Sequence, residues 1–110
     1  MIRMPAVEAT AASRITASPE AISDFCRRNH VRRLSLFGSV LRDDFRPESD
    51  VDVLIEFEPA HVPGFFRFFE MEQELSETLG RKVDLSTPNA LSKYFRARVL
   101  AEAFPLHDAA

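Results

Sequence analysis

The sequence of 110 residues contains a single cysteine, Cys26, and no tryptophan. One cysteine cannot form a disulfide within the chain, and it cannot build a zinc site from several cysteine ligands. Cys26 falls at an apolar position of a predicted helix, which is typical of a small core residue. The three histidines, His30, His61 and His107, lack ligand spacing relative to one another or to Cys26. We therefore expect none of them to bind a metal.

A basic excess and a long apolar run are also missing. Lys and Arg number 14 against 17 Asp and Glu, for a formal net charge of −3, whereas general nucleic-acid binders carry a basic excess. No apolar stretch approaches the length that crosses a bilayer. Pro5 and Glu8 interrupt the little apolar sequence near the N-terminus, so no secretory signal is predicted. We expect no membrane contact, no general nucleic-acid binding and a cytoplasmic location.

A chain of this length is expected to form one domain with one modest core. Residues 1–17 are rich in Ala, Ser and Thr without clear periodicity. We interpret them as a flexible N-terminal arm and residues 18–110 as the domain. Ser18-Pro19-Glu20 has the order of a helix N-cap, a first helical residue and an acidic first turn. Further along, the pattern predicts strands at 33–37, 51–57, 82–86 and 104–107, a helix at 65–79 and an interrupted helical region at 87–103.

Two short motifs are separated by ten residues: Gly38-Ser39 follows the first predicted strand, and Asp50-x-Asp52 runs into the second. Strand side chains alternate between faces with a period of two, so both carboxylates would project from the same face. Neighbouring carboxylates repel each other unless a cation sits between them. Mg²⁺ is bound through one or two carboxylates together with substrate phosphates. The alternative is a turn or cap role for Asp50 and a buried ion pair for Asp52.

Gly38-Ser39 suits an anion site. Glycine allows a ligand to approach the backbone closely, and a short helix from Ser39 to about Asp43 would aim free N–H groups at an anion. Arg42 lies near enough to contact a phosphate. In the alternative interpretation Arg42 is a solvated side chain paired with Asp43 or Asp44.

Asp84 supplies a third carboxylate on the predicted strand 82–86. Together with Asp50 and Asp52 it would suit a metal-held triphosphate attacked by a hydroxyl group, as in two-metal phosphoryl chemistry. Asp84 would then bind the metal on the nucleophile side and help to take the proton. The alternative is a surface carboxylate paired with Lys82 or Arg81.

The predicted helix at 65–79 is rich in phenylalanine and is followed by Gly80, a residue typical of helix ends. Two interpretations remain open: a helix buried deep in the core, or one whose extra apolar surface meets another chain. One stripe would contain Phe65, Phe68, Met71, Leu75 and Leu79, and Phe66 and Phe69 would widen it.

The two-part motif Gly38-Ser39 and Asp50-x-Asp52 resembles the signature of the DNA polymerase β-like nucleotidyltransferase superfamily. From about Ser18 to His107 the chain is similar to its smallest branch, the minimal nucleotidyltransferase (MNT) domains that act as antitoxins to HEPN toxins. Arg42 and the segment 81–85 share this likeness. The resemblance implies an α+β fold with a small mixed β-sheet flanked by α-helices.

The resemblance also implies a reaction: transfer of AMP from ATP to a hydroxyl of a HEPN-type toxin, with Mg²⁺ as cofactor and pyrophosphate as product. Asp43 and Asp44 lie close to the implied phosphate site, where their charges would weaken nucleotide binding. The implied catalytic and metal-binding residues are Asp50, Asp52 and Asp84, and the implied nucleotide-binding residues are Gly38, Ser39 and Arg42.

Two rival functions remain compatible with the sequence. In the first, the protein blocks a toxin sterically and the phenylalanine-rich helix is the main functional surface. In the second, it is a nucleotidyltransferase for a small hydroxylated acceptor, of the aminoglycoside kind, working as a homodimer with a pocket across the interface. The short chain offers no second domain to hold an acceptor, so a partner chain is expected in each case.

Overall fold

The computed structural model describes residues 15, 17–42, 45–46 and 48–109. Most of the predicted arm at 1–17 therefore lies outside the described residues, as do Asp43 and Asp44. Of that arm, Ile15 and Ala17 are described, and both pack against the core. Within the described part the order is α1 (Pro19–Arg28), β1 (Val31–Phe37), β2 (Val51–Phe57), α2 (Phe65–Leu79), β3 (Val83–Ser86), α3 (Arg96–Glu102) and β4 (Phe104–Asp108).

The four strands form one mixed sheet in the order β3-β2-β1-β4. β1 is antiparallel to both β2 and β4, and β2 is parallel to β3. Because α2 connects β2 to β3, the β2–α2–β3 segment is the crossover unit that the element order predicted. The predicted α+β fold with a small mixed sheet is confirmed.

The ends of α1 and α2 follow from local signals. The Ser18 hydroxyl accepts a hydrogen bond from the Ala21 N–H at 3.1 Å, and Pro19 occupies the first helical position. Gly80 ends α2 with φ +74°, a left-handed conformation that glycine adopts without steric cost. The short helix predicted after Gly38 is instead a 3₁₀ turn over Gly38–Leu41, so it ends before Asp43.

The core lies between one face of the sheet and helices α1 and α2. Three members of the predicted phenylalanine stripe are fully buried there, namely Met71, Leu75 and Leu79. Phe65 was wrongly placed in that stripe: it is the first residue of α2, and 81% of it is exposed. The sheet residues on this face include Leu34, Leu36, Val51, Val53, Ile55, Val83 and Leu85.

The predicted core role of Cys26 is confirmed. Its thiol is fully buried, and burial raises its pKa to about 12, so it remains protonated and unreactive at neutral pH. Among the described residues, no helix has both the length and the apolar character needed to cross a bilayer.

Candidate active site

Asp52 and Asp84 lie side by side on the face of the sheet opposite the core. Parallel pairing aligns the two residues across β2 and β3, and the Val51 N–H donates to the Lys82 carbonyl at 2.8 Å. Asp50 is exposed, two residues before Asp52. The structure thus brings together the three carboxylates that the sequence singled out.

The Gly38-Ser39 motif meets the same carboxylate. Phe37 pairs with Asp52 across β1 and β2, and the chain then turns at Gly38 with φ +75°. A Cβ atom on Gly38 would collide with the Asp52 carboxylate. Glycine is therefore required here twice, for its backbone conformation and for the space that Asp52 occupies. The two motifs are neighbours in space as well as in sequence.

Burial raises the pKa of Asp52, and the negative charges of Asp84 and Asp50 raise it further. The Ser39 backbone amide and the Arg42 guanidinium act in the opposite direction but do not reverse the shift. A stabilising ion pair would lower the pKa of a carboxyl group. The buried ion pair considered for Asp52 is therefore not what holds it in the strand, and its charge opposes folding.

Replacing Asp52 with Asn is expected to increase the free energy of unfolding at neutral pH, by on the order of 0.5–1 kcal/mol after solvent screening. An acid whose pKa is raised in the folded state binds more protons there, so the wild type loses stability as the pH rises through that pKa. The difference in stability between the two proteins should vanish at a pH below 3.8, the ordinary pKa of an aspartate carboxyl group. Urea denaturation of both proteins without divalent cations, at about pH 3 and about pH 7, measures this difference in the free energy of unfolding. A variant less stable than the wild type at neutral pH would contradict the prediction.

The turn role considered for Asp50 is filled by another residue. In the turn before β2, the Ser49 hydroxyl accepts from the Arg46 N–H at 3.0 Å, so Ser49 rather than Asp50 supports the turn. Arg81 donates to the carbonyls of Arg46 and Ser49 at 2.8 and 3.3 Å. Arg81 thus anchors the segment leading to Asp50.

Asp52 opens onto a cavity of about 620 Å³ between the sheet and α3. This volume falls within the range of small-molecule sites, roughly 300–1,000 Å³. Gly38 and Arg42, both predicted to contact nucleotide, line it together with Asp52. The remaining lining residues are Phe37, Leu41, Phe95, Arg98, Val99 and Glu102.

Phe95, Arg98 and Glu102 form a wall of this cavity that sequence reasoning did not find. They lie three and four residues apart, so they share one face of the segment formed by α3 and its N-cap residue, Phe95. Arg98 pairs with Glu102 at 3.2 Å. This spacing was the available signal, but it is equally typical of a solvated helix face. Arg96 is a structural anchor, donating to the carbonyls of Pro88 and Leu91.

Two of the histidines come together elsewhere on the molecule. His30 and His61 stack with ring centroids 3.8 Å apart, and Glu58 lies beside them. Ligand spacing in the sequence does not reveal this grouping, in which each of the three residues offers one ligand atom. Twenty-seven residues separate His30 from Glu58 in the sequence, and the antiparallel β1–β2 pairing closes that gap.

Comparison with known proteins agrees with this geometry. Residues 19–107 match the family described as the nucleotidyltransferase domain. The protein adenylyltransferase MntA of Thermococcus cleftensis is 38% identical over 72 residues, covering 66% of this chain and 71% of MntA. A solved structure provisionally assigned as a minimal nucleotidyltransferase superposes with a TM-score of 0.66 at 31% identity, covering 90% of this chain and 94% of the other.

A tri-AMPylated HEPN toxin of Shewanella oneidensis has been solved in complex with an MNT antitoxin, and this fold matches a chain of that complex. The TM-score is 0.58 at 23% identity, with 82% of this chain and 69% of the other covered. At this identity the likeness concerns the fold alone. The family match over 19–107, the more similar relatives and the Gly-Ser and Asp-x-Asp motifs meeting at one carboxylate lead to one assignment: this chain belongs to the nucleotidyltransferase family, in the branch of the minimal nucleotidyltransferases.

Proposed function

We propose that this protein transfers AMP from ATP to a hydroxyl group of a HEPN-type toxin and thereby acts as its antitoxin. The observation that carries the proposal is the position of Asp52, which pairs in register with Asp84 and lines a nucleotide-sized cavity. Burial and the negative charges of Asp84 and Asp50 raise its pKa. The similarity to a protein adenylyltransferase supports a protein acceptor. A cytoplasmic location, where ATP is abundant, is part of the proposal.

The three carboxylates fit Mg²⁺. Their donor atoms are oxygens, which this ion requires. Burial raises the pKa of Asp52, and the negative charges of Asp84 and Asp50 raise it further. A divalent cation held by Asp50, Asp52 and Asp84 would relieve the repulsion among these charges. When bound, Mg²⁺ would neutralise the triphosphate and the charge that develops during transfer.

The residues of the chain would position the two reactants. The backbone at Gly38-Ser39 and the Arg42 guanidinium would bind the triphosphate, while Phe95 and Val99 offer apolar surface to the nucleoside. The acceptor oxygen then attacks the α-phosphorus, and the bond from that phosphorus to the bridging oxygen breaks. Pyrophosphate leaves with the bonding electrons. The acceptor's proton passes to the Asp84 carboxylate and from there to solvent, because Asp84 is exposed.

The intact mass of the cognate toxin, taken as the small protein encoded by the adjacent gene, tests the proposal. After incubation with this protein, ATP and Mg²⁺, its mass should increase by one or more AMP units. Reactions without ATP, or with EDTA, should show no increase. An unchanged mass in a mixture that still forms a stable complex would favour steric inhibition instead, and no complex at all would favour a small acceptor.

A surface for the toxin is offered by the exposed start of α2. Phe65 and Phe66 are each 81% exposed and Phe69 is 54% exposed. Phe65 and Phe66 contact each other edge to face with centroids 5.8 Å apart. Clusters of exposed aromatic residues are typical of protein interfaces. This observation is what keeps steric inhibition as the second candidate function.

Replacing Phe66 with Asp is expected to weaken toxin binding about 30-fold or more, since buried interface aromatics commonly contribute 2 kcal/mol or more. The melting temperature should hardly change, because the side chain is solvated in the free protein. Titration calorimetry with the toxin measures the affinity. Glu77→Gln, at another exposed position of α2, is the matched control. Unchanged affinity in Phe66→Asp would exclude this surface from the interface.

A further inference from the structure

A second group of potential metal ligands lies at the opposite end of the strands from the carboxylates. His30 precedes β1, and Glu58 and His61 follow β2, whereas Asp52 lies near the start of β2. Each of the three side chains offers one ligand atom, and these atoms lie within 4.8 Å of one another. Their donor set is two imidazoles and one carboxylate.

The backbone holds the three residues together without any ion. The Glu58 N–H donates to the His30 carbonyl at 3.0 Å, and the His61 N–H donates to the Glu58 carbonyl at 3.0 Å. The second bond closes a turn with Pro59 at its first central position and Ala60, at φ +72°, at its second. Since the turn fixes the spacing of Glu58 and His61, little ordering of the backbone is needed for the ligands to converge.

Two strained residues coincide with this cluster. His30 has φ +54° and Ala60 has φ +72°, and among the described residues they are the non-glycine residues with positive φ. Glycine or asparagine would adopt a positive φ at either position with less backbone strain. Strain of this kind tends to collect at binding sites. At position 30 the left-handed conformation brings the imidazole onto His61, with an angle of 14° between the rings.

We propose that His30, Glu58 and His61 form a site for a divalent transition metal ion of the Zn²⁺ class, distinct from the carboxylate site. The separation of His30 Nδ1 from Glu58 Oε2 is 3.7 Å. That is too long for a hydrogen bond. For an ion about 2.1 Å from both atoms, however, the angle between the two bonds at the ion would be roughly 120°. Two imidazoles and a carboxylate favour Zn²⁺ over Mg²⁺, which prefers oxygen ligands.

To complete this arrangement the two stacked imidazole rings must tilt apart, because each ring nitrogen binds an ion in the plane of its own ring. Neighbouring ligands of a tetrahedral zinc ion lie about 3.4 Å apart, so no pair has to close by more than roughly 1.4 Å. The side chains of His30 and Glu58 are about half exposed, at 51% and 50%, and can rotate into place. With three protein ligands, a water molecule takes the fourth position.

The bound ion would fasten the loop before α2 to the junction of α1 and β1. That loop leads directly into the exposed phenylalanines at Phe65 and Phe66. The role assigned to the metal is therefore structural, and it does not depend on the proposed AMP transfer.

Zn²⁺ titration of the full-length, tag-free protein carrying Asp50→Asn and Asp52→Asn tests the site, because these substitutions weaken the competing carboxylate site. One equivalent of Zn²⁺ should bind. His61→Gln in the same background should raise the Kd at least tenfold, and so should His30→Asn, in which asparagine tolerates the positive φ. His107→Gln, a histidine on β4 outside the cluster, is the matched control and should leave the Kd unchanged.

Thermal unfolding gives an independent readout. At about a hundredfold excess over its Kd, Zn²⁺ should raise the melting temperature of the Asp-substituted protein by roughly 5 °C or more. Mg²⁺ should not, and His61→Gln should remove the Zn²⁺ effect. No Zn²⁺ binding at millimolar concentration, or binding that neither histidine substitution weakens, would overturn the proposal.

Discussion

Asp52→Asn is expected to reduce the rate of AMP transfer to the toxin by about 10³-fold or more, since it removes a carboxylate placed where charge develops in the reaction. Asp52 is the residue at which the observations converge. It touches the Gly38 turn, pairs in register with Asp84 and lines the cavity. The asparagine side chain has nearly the same shape as that of aspartate but carries no charge.

This variant separates catalysis from folding unusually well. Most inactivating substitutions also destabilise a protein, whereas Asp52→Asn should make the metal-free protein more stable because Asp84 and burial both penalise the native carboxylate. A loss of activity in this more stable variant could therefore not be attributed to unfolding. The diagnostic result is an inactive protein with an unchanged or higher melting temperature.

The rate is measured as AMP incorporation into the toxin by intact-mass analysis under single-turnover conditions. Glu77→Gln, which removes an exposed carboxylate of α2 away from the cavity, should retain the wild-type rate. Retention of more than a tenth of that rate by Asp52→Asn would exclude an essential role for the carboxylate. If Asp52→Asn still protects cells from the toxin, inhibition is steric and transfer is not needed for it.

Gly38→Ala should be the most damaging single-methyl change in the described part of the chain. At φ +75° an alanine costs about 1–2 kcal/mol from its own backbone. The added Cβ also collides with the Asp52 carboxylate, so either that side chain or the turn must move. We expect a loss of about 2–4 kcal/mol in the free energy of unfolding and a transfer rate at least tenfold lower.

Gly64→Ala is the matched control. Gly64 has φ −74°, and a Cβ atom there would meet nothing within 4 Å. Because Gly64 is the N-cap of α2, a loss of at most about 1 kcal/mol is expected, with no loss of activity. Urea denaturation and the mass assay on both variants make the comparison. Equal effects of the two substitutions would mean that Asp52 does not fill the space beside Gly38.

The two substitutions address different parts of the same arrangement. Asp52→Asn keeps the shape of the site and removes a charge, while Gly38→Ala keeps the charge and displaces it. The Gly-Ser motif was predicted to bind phosphates, and that role stays a prediction. The structure adds that the Ser39 amide acts on the Asp52 carboxylate, so the motif also contacts the side chain that is proposed to be catalytic.

Local sequence signals predicted the elements that depend on local physics. The N-cap at Ser18, the end of α2 at Gly80 and the bounds 51–57 and 65–79 were all correct. Capping hydrogen bonds and positive φ involve only residues close in the chain, and so these features can be inferred from short stretches. The buried face of α2 was misjudged at Phe65, because the burial of a helix residue depends on tertiary packing rather than on helical spacing alone.

From the sequence alone we predicted that Asp50 and Asp52 project from the same face, because alternation is a property of any extended chain. In the structure β2 begins at Val51, so Asp50 directly precedes the strand that carries Asp52. Tertiary structure decided the rest. Parallel pairing of β2 and β3 set Asp84 beside Asp52, α3 supplied the cavity wall at Phe95 and Arg98, and antiparallel pairing joined His30 to Glu58. These are contacts between segments far apart in sequence, and the register that makes them comes from burying one shared core, which no single stretch encodes.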